Sequence, residues 1–278
     1  MTGSFVVRRL AEGDASDLEA FLRTLPPSHL YLRAAAREPS SFVAALSDER
    51  IVAVAQSNAP PSLVVAGDPA GLAAIARDRR YGRGAWRVLV GRDAEARAWL
   101  EADADARAVV RLHRYLVLDA VPAGRVGEDE VERATAADLD ALVRLSFTFH
   151  RDDDPAGAAP REPRLVEARN RARIAAGTSW VIRRGDDAVF MADVGVEEPN
   201  EGALLGGIVT DRAWRRRGLG RAGLASVCRR LCARGAPRIA LHVAEENVAA
   251  RALYESVGFR EIDVFRVAYR KPPAGTGP

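Results

Sequence analysis

In the second half of the chain, hydrophobic positions switch repeatedly between the alternation of strands and the wider spacing of helices. Residues 179–183 and 188–196 are apolar runs on either side of Gly185-Asp186-Asp187, which predicts a hairpin. Residues 203–210 form another strand-like run, followed by a glycine turn and a periodic helix to about Ala233. Residues 238–244 have the composition of a buried strand. Asn247 is placed to cap a helix running to Ser256, and Gly258 suits the left-handed residue after it. Phe259 then opens a last strand pair ending near Tyr269. Upstream, the pattern predicts a short strand at 131–134, an amphipathic helix at 136–148 and an arginine-rich helix at 163–176. The polar loop between the two helices, residues 151–160, is either plain surface or a cover for a substrate.

The first half repeats this order weakly, with strands at 51–55, 62–66, 86–90 and 109–118 and helices at 71–77 and 94–101. Asp68 caps the first of these helices, and Pro69 takes its first position. Val121-Pro122-Ala123-Gly124 reads as a link. The expectation is an α/β chain of two lobes, each a twisted mixed sheet flanked by helices: residues 1–121, residues 126–271 and a flexible tail at 272–278.

Composition adds little to this picture. Among 278 residues, 41 basic ones stand against 38 acidic, for a net charge of +3. Both signs are interspersed, which argues against nucleic acid as a partner. No run of about 18 apolar residues suits a membrane, and residues 1–10 lack the form of a leader, so a cytoplasmic protein is expected. Cys228 and Cys232 share a helix face with Leu224, Val227 and Leu231, and core packing explains them better than a metal.

One cluster stands apart. Arg215-Arg216-Arg217-Gly218-Leu219-Gly220, with Arg221 after it, lies between a strand and the start of a helix. The first helical turn leaves N–H groups unpaired at the positive end of the macrodipole, so an anion binds there, and glycines let it approach. A similar string, Arg79 to Gly84, closes a helix and opens none, which makes it a surface turn. In the first lobe the corresponding turn is Gly67-Asp68-Pro69, where a carboxylate stands in place of a phosphate.

The ordered set Arg215-x-x-Gly218-x-Gly220, the strand at 239–244, Asn247, and Ala252-Leu253-Tyr254-Glu255-Ser256-Val257-Gly258-Phe259 resembles the GNAT superfamily of acyl-CoA-dependent N-acyltransferases. The likeness covers roughly residues 129–270. The whole chain is similar to two-lobed bacterial members whose first lobe is degenerate, mycothiol synthase among them. The resemblance implies acetyl-CoA as cosubstrate, no metal, and a small-molecule or peptide amine as acceptor, for a chain acting alone or as a homodimer. It places the phosphates at Arg215 to Arg221 with Asn247 nearby, and the pantetheine arm along main-chain groups of Ile208, Val209 and Thr210. It gives Tyr254 the protonation of the departing thiolate, a task a phenol suits because its ordinary pKa of about 10 keeps it protonated.

A base is harder to name. Members often carry a glutamate on the strand before the glycine turn, and residues 203–210 contain no carboxylate or histidine. Asp193 is the leading substitute, because an acid among Val189, Phe190, Met191 and Val194 is costly to bury unless paired. The alternatives are a salt-bridged structural role for Asp193, with His242, His150, Glu197, Glu198 or a water as base. Two other functions fit the same motifs: acyl-CoA binding without turnover, and acetylation of an amino-sugar thiol.

Overall fold

The structure, a computed structural model, describes residues 5–58, 62–82, 86–104, 107–120, 131–153 and 162–270. The chain divides into two compact units, residues 1–114 with 263–278, and residues 115–262.

In chain order the first unit contains β1 (Val6–Arg9), α1 (Ala15–Thr24), α2 (Leu30–Ala35), β2 (Phe42–Ser47), β3 (Arg50–Asn58), β4 (Ser62–Gly67), α3 (Pro69–Arg77), β5 (Val88–Arg92), α4 (Asp93–Ala102) and the start of β6 (Ala108–Leu118). Strands β1 to β4 pair antiparallel in sequence, and β5 adds parallel to β4. Alternation along the strands feeds two cores. Val43, Ala45, Ala55 and Val65 meet Leu72, Ile75 and Trp99 of α3 and α4, while Phe42, Ala44, Val54 and Ala66 meet Leu18, Leu22 and Leu32 of α1 and α2.

The second unit continues with β7 (Glu132–Arg133), α5 (Leu139–Asp153), α6 (Pro163–Ala176), β8 (Ser179–Arg184), β9 (Asp187–Glu198), β10 (Gly202–Thr210), α7 (Leu219–Ala233), β11 (Ile239–Ala244), α8 (Val248–Val257) and β12 (Arg260–Arg270). Strands β7 to β10 are antiparallel neighbours, and β11 runs parallel to β10. Phe190, Ala192 and Val194 face the core of α7 and α8, whereas Met191 and Val209 face that of α5. Cys228 lies in the α7 core and Cys232 packs against it; both thiols are free, and burial pushes both pKa values up.

The element order of residues 6–118 recurs at 132–270. The last strand of the second repeat completes the first unit, because Phe265 to Tyr269 of β12 pair antiparallel with Val88 to Arg92 of β5. Asp263 accepts from Ser28 Oγ and Arg92 Nε at 2.7 Å each, and Arg266 bonds Asp93, so polar side chains fix the same strand. Conversely, Leu116 and Leu118 at the end of β6 join the core of the second unit.

Several elements differ from the sequence reading. Residues 260–270 are one strand, since nothing in Arg260–Arg270 forms a turn. The helix expected at 136–148 is a 3-10 turn at Ala136–Asp138 followed by α5, which runs on to Asp153. Strands and helices before Arg50 went unanticipated. The expected link at 121–124, most of the loop at 151–160, residues 83–84 and the tail at 272–278 lie outside the described residues. Among the described residues no helix is long and apolar enough to cross a membrane.

Candidate active site

Strands β10 and β11 pair only over Ala203 to Leu205 and Ile239 to Leu241. Beyond that point they part, and a cleft of about 510 Å³ opens between them. On its other edge β10 carries a bulge: Gly206 lies opposite Asp193 and Val209 opposite Met191, so Gly207 and Ile208 share one partner position. Gly207 has φ +56°, and a Cβ there would collide with the Asp193 carboxylate, so both the turn of the backbone and its neighbour demand glycine. The bulge frees main-chain groups of Gly206 to Val209, which line the cleft.

One end of the cleft is built for an anion. Arg216 (φ +60°) and Gly218 (φ +83°) are left-handed, and Gly218 begins α7 with no side chain capping it. Arg215, Arg216, Gly218, Gly220 and Arg221 all line this end. Arg215 is fixed by its Nε bond to Thr210 O at 3.0 Å. Asp152, at the end of α5, accepts from Arg212 at 2.6 Å and Arg215 at 2.5 Å. Burial disfavours its charge and the two guanidinium groups outweigh that, so its pKa lies below the ordinary carboxylate range. In the first unit the comparable helix start is closed, with the Asp68 carboxylate accepting from Gly71 N at 2.8 Å. Glu95 there accepts from Gly67 N and Arg92 N, taking up main-chain donors at the ends of β4 and β5.

The structure thus brings together Ile208, Val209, Thr210, Arg215, Arg216, Gly218, Gly220, Arg221, Asn247 and Tyr254 around one cleft. Asn247 also caps α8, accepting from Ala250 N at 3.2 Å. Arg217 instead lies over the Trp214 ring at 4.9 Å, and the Leu219 side chain is buried in the core, which leaves it only a backbone amide to offer. Tyr254 is 6% exposed, with its ring 6.1 Å from that of Phe259.

Asp193 does not face the cleft. It is 1% exposed, accepts from Ser179 Oγ at 2.5 Å and from Arg173 Nη1 at 2.6 Å, and sits behind Gly207. Burial raises its pKa, against the pull of Arg173, Ser179 and Arg169. Of the other candidate bases, Glu197 is paired with Arg234 at 2.6 Å and His150 packs beside Phe149, whereas His242 lines the cleft next to Leu241 and Val243. The signal for His242 was a lone polar side chain in an otherwise apolar strand, placed just past the point where the strands separate.

Residues 140–259 match the acetyltransferase (GNAT) family. The second unit contains a GNAT domain. Two solved structures share the fold across both units. A GCN5-related N-acetyltransferase from Sphaerobacter thermophilus has a TM-score of 0.65 at 16% identity, covering 95% of this chain and 94% of that one. A tandem GNAT protein from the clavulanic acid biosynthesis pathway has a TM-score of 0.56 at 19% identity, covering 97% and 99%. The [ribosomal protein bS18]-alanine N-acetyltransferase of Escherichia coli K12 is 43% identical over 67 residues, 24% of this chain. The chain spans 45% of the length of that relative.

Proposed function

We propose that this GNAT domain transfers an acetyl group from acetyl-CoA to an amine. The observation that carries the reading is the cleft itself, which joins an uncapped, arginine-lined helix start to freed strand backbone and to Tyr254. The helix start and Arg215, Arg216 and Arg221 hold the phosphates, and freed N–H groups at the bulge polarise the thioester carbonyl. Holding both reactants in one cleft supplies most of the rate gain. The amine nitrogen forms its bond to the carbonyl carbon, the carbon–sulfur bond breaks, and the Tyr254 hydroxyl gives its proton to the leaving thiolate.

His242 is the base on this reading, receiving the proton the amine gives up. His242→Gln is expected to slow kcat/KM by about 10²-fold and to remove the acidic limb of the pH–rate profile. An unchanged profile would leave the base to solvent. Asp193 acts as a positioning residue that props the bulge. The amine class agrees with the curated relative, whose name specifies an alanine acceptor.

Asp152 is an internal counter-ion that the phosphates displace. Asp152→Asn is expected to tighten acetyl-CoA binding by roughly threefold to tenfold at low salt, with the gain shrinking as salt rises. Calorimetry at two ionic strengths measures it. The activity itself is tested by thiol release from acetyl-CoA across a mixed panel of amines. Stoichiometric binding with no release for any amine would make the cleft a sensor and overturn the enzyme reading.

A further inference from the structure

Strands β10 and β11 stop pairing at Leu205 and Leu241, so His242 is the first residue of β11 beyond the last pair. On that side the strand has lost its neighbour. Its other neighbour in the sheet is β6. Alternation sends Ile239, Leu241 and Val243 of β11 into the core under α7 and α8, together with Leu116 and Leu118 of β6. His242 and Tyr115 therefore point to the opposite face, and their rings meet edge to face, with centroids 4.8 Å apart and planes at 75°.

The two rings differ in exposure. Tyr115 is 1% exposed, whereas His242 is half-buried and lines the cleft. Contact with a buried ring restricts rotation of the imidazole about its Cβ–Cγ bond, a torsion that is otherwise broad and roughly two-fold. That restriction matters to a base. A neutral imidazole accepts a proton only at the nitrogen that carries no hydrogen, so a ring turned over presents the wrong atom. Nδ1 of His242 is buried, which leaves Nε2 as the nitrogen an acceptor amine meets.

We infer that Tyr115 is a positioning residue: its ring holds His242 so that Nε2 faces the acceptor amine and Nδ1 carries the resting proton. The inference rests on His242 as the base in the acetyl-transfer reading above. In that step the lone pair of Nε2 takes a proton from the attacking nitrogen as the nitrogen–carbon bond forms, and the imidazole becomes an imidazolium protonated on both nitrogens. Tyr115 exchanges no proton.

Tyr115→Phe keeps the ring and Tyr115→Leu replaces it with an aliphatic group, so the two variants separate the ring contact from the hydroxyl. With the best amine of the panel above, kcat is expected within about threefold of normal for Tyr115→Phe and lower by roughly 10–10²-fold for Tyr115→Leu, with acetyl-CoA affinity within about threefold in both. In the His242→Gln background Tyr115→Leu should cost less than about twofold more, because the group it orients is gone. Magnetic resonance of nitrogen-labelled histidine, with the His242 signal assigned by its loss in His242→Gln, should show the neutral ring protonated on Nδ1 in the unmodified protein. That measurement requires no change at Tyr115. A folded Tyr115→Leu protein with normal kcat, a Tyr115→Phe protein as slow as Tyr115→Leu, a full further loss in the His242→Gln background, or a neutral His242 protonated on Nε2 overturns the assignment and leaves acetyl transfer standing. An unchanged pH–rate profile in His242→Gln overturns the base and this inference with it.

Discussion

Replacing Gly218 and Gly220 together with aspartate is expected to abolish acetyl-CoA binding while leaving the protein folded. The unmodified chain should bind one molecule at the second unit, where a left-handed Gly218 opens α7 with no capping side chain. An aspartate at that position puts a carboxylate on the amides a phosphate needs, and the left-handed φ of +83° adds a backbone cost of about 1 kcal/mol for any side chain. Its added Cβ meets nothing within 4 Å, and the one at Gly220 comes no nearer than 3.2 Å to Thr210 Oγ1. At α3 of the first unit Asp68 closes the helix start with its carboxylate, from an extended backbone. The lost helix-terminus contacts and the new repulsion together should weaken binding by at least about 100-fold, roughly 3 kcal/mol. Titration calorimetry, with a thermal melt as the folding control, decides the matter. Two equivalent sites per chain, or tight binding by the double variant, would remove the phosphates from α7.

Tyr254→Phe is expected to lower kcat by roughly 10–10³-fold with little change in acetyl-CoA affinity. Phenylalanine keeps the ring against Phe259 and removes only the hydroxyl. That hydroxyl matters most when the carbon–sulfur bond is breaking and charge gathers on sulfur, so its loss appears in the transition state more than in the bound ground state. An acyl donor with a more acidic thiol needs less help, and its rate should fall less in the variant. A tyrosine that merely filled the core would instead leave kcat near normal for both donors and cost a little stability. Full activity in a folded variant would take the acid out of the mechanism.

The stretch from β10 to α8 was readable because each of its boundaries is written locally. Asn247 and Gly258 bracket one helix and take the capping and left-handed roles expected of them, and Gly218 opens another. Pro163 and Gly177 bracket α6 in the same way. By contrast, α2 (Leu30–Ala35) is only six residues long and follows a proline-containing 3-10 turn, too short for a helical period to emerge. The continuous apolar run of β2 gives no alternation to read. In the site, the family resemblance pointed to Tyr254, and the strand before and helix after it singled out the glycine turn from the similar string at Arg79 to Gly84. Asp193 looked available because an acid in an apolar strand signals either function or a partner, and its partners Arg173 and Ser179 lie 20 and 14 residues away, beyond the reach of any local pattern. The same holds for β12, whose alternation marks a strand while its pairing with β5 is decided by tertiary structure.

That pairing sets a timetable for synthesis. A chain emerging from its amino end has made every other strand of the first unit by Leu118, yet β5 lacks its β12 neighbour until Phe265 to Tyr269 appear. The ribosome therefore releases the whole second repeat before the first unit can close. A fragment cut between the repeats carries β5 as an open edge, ready to pair with whatever strand it meets, and self-association is its expected fate.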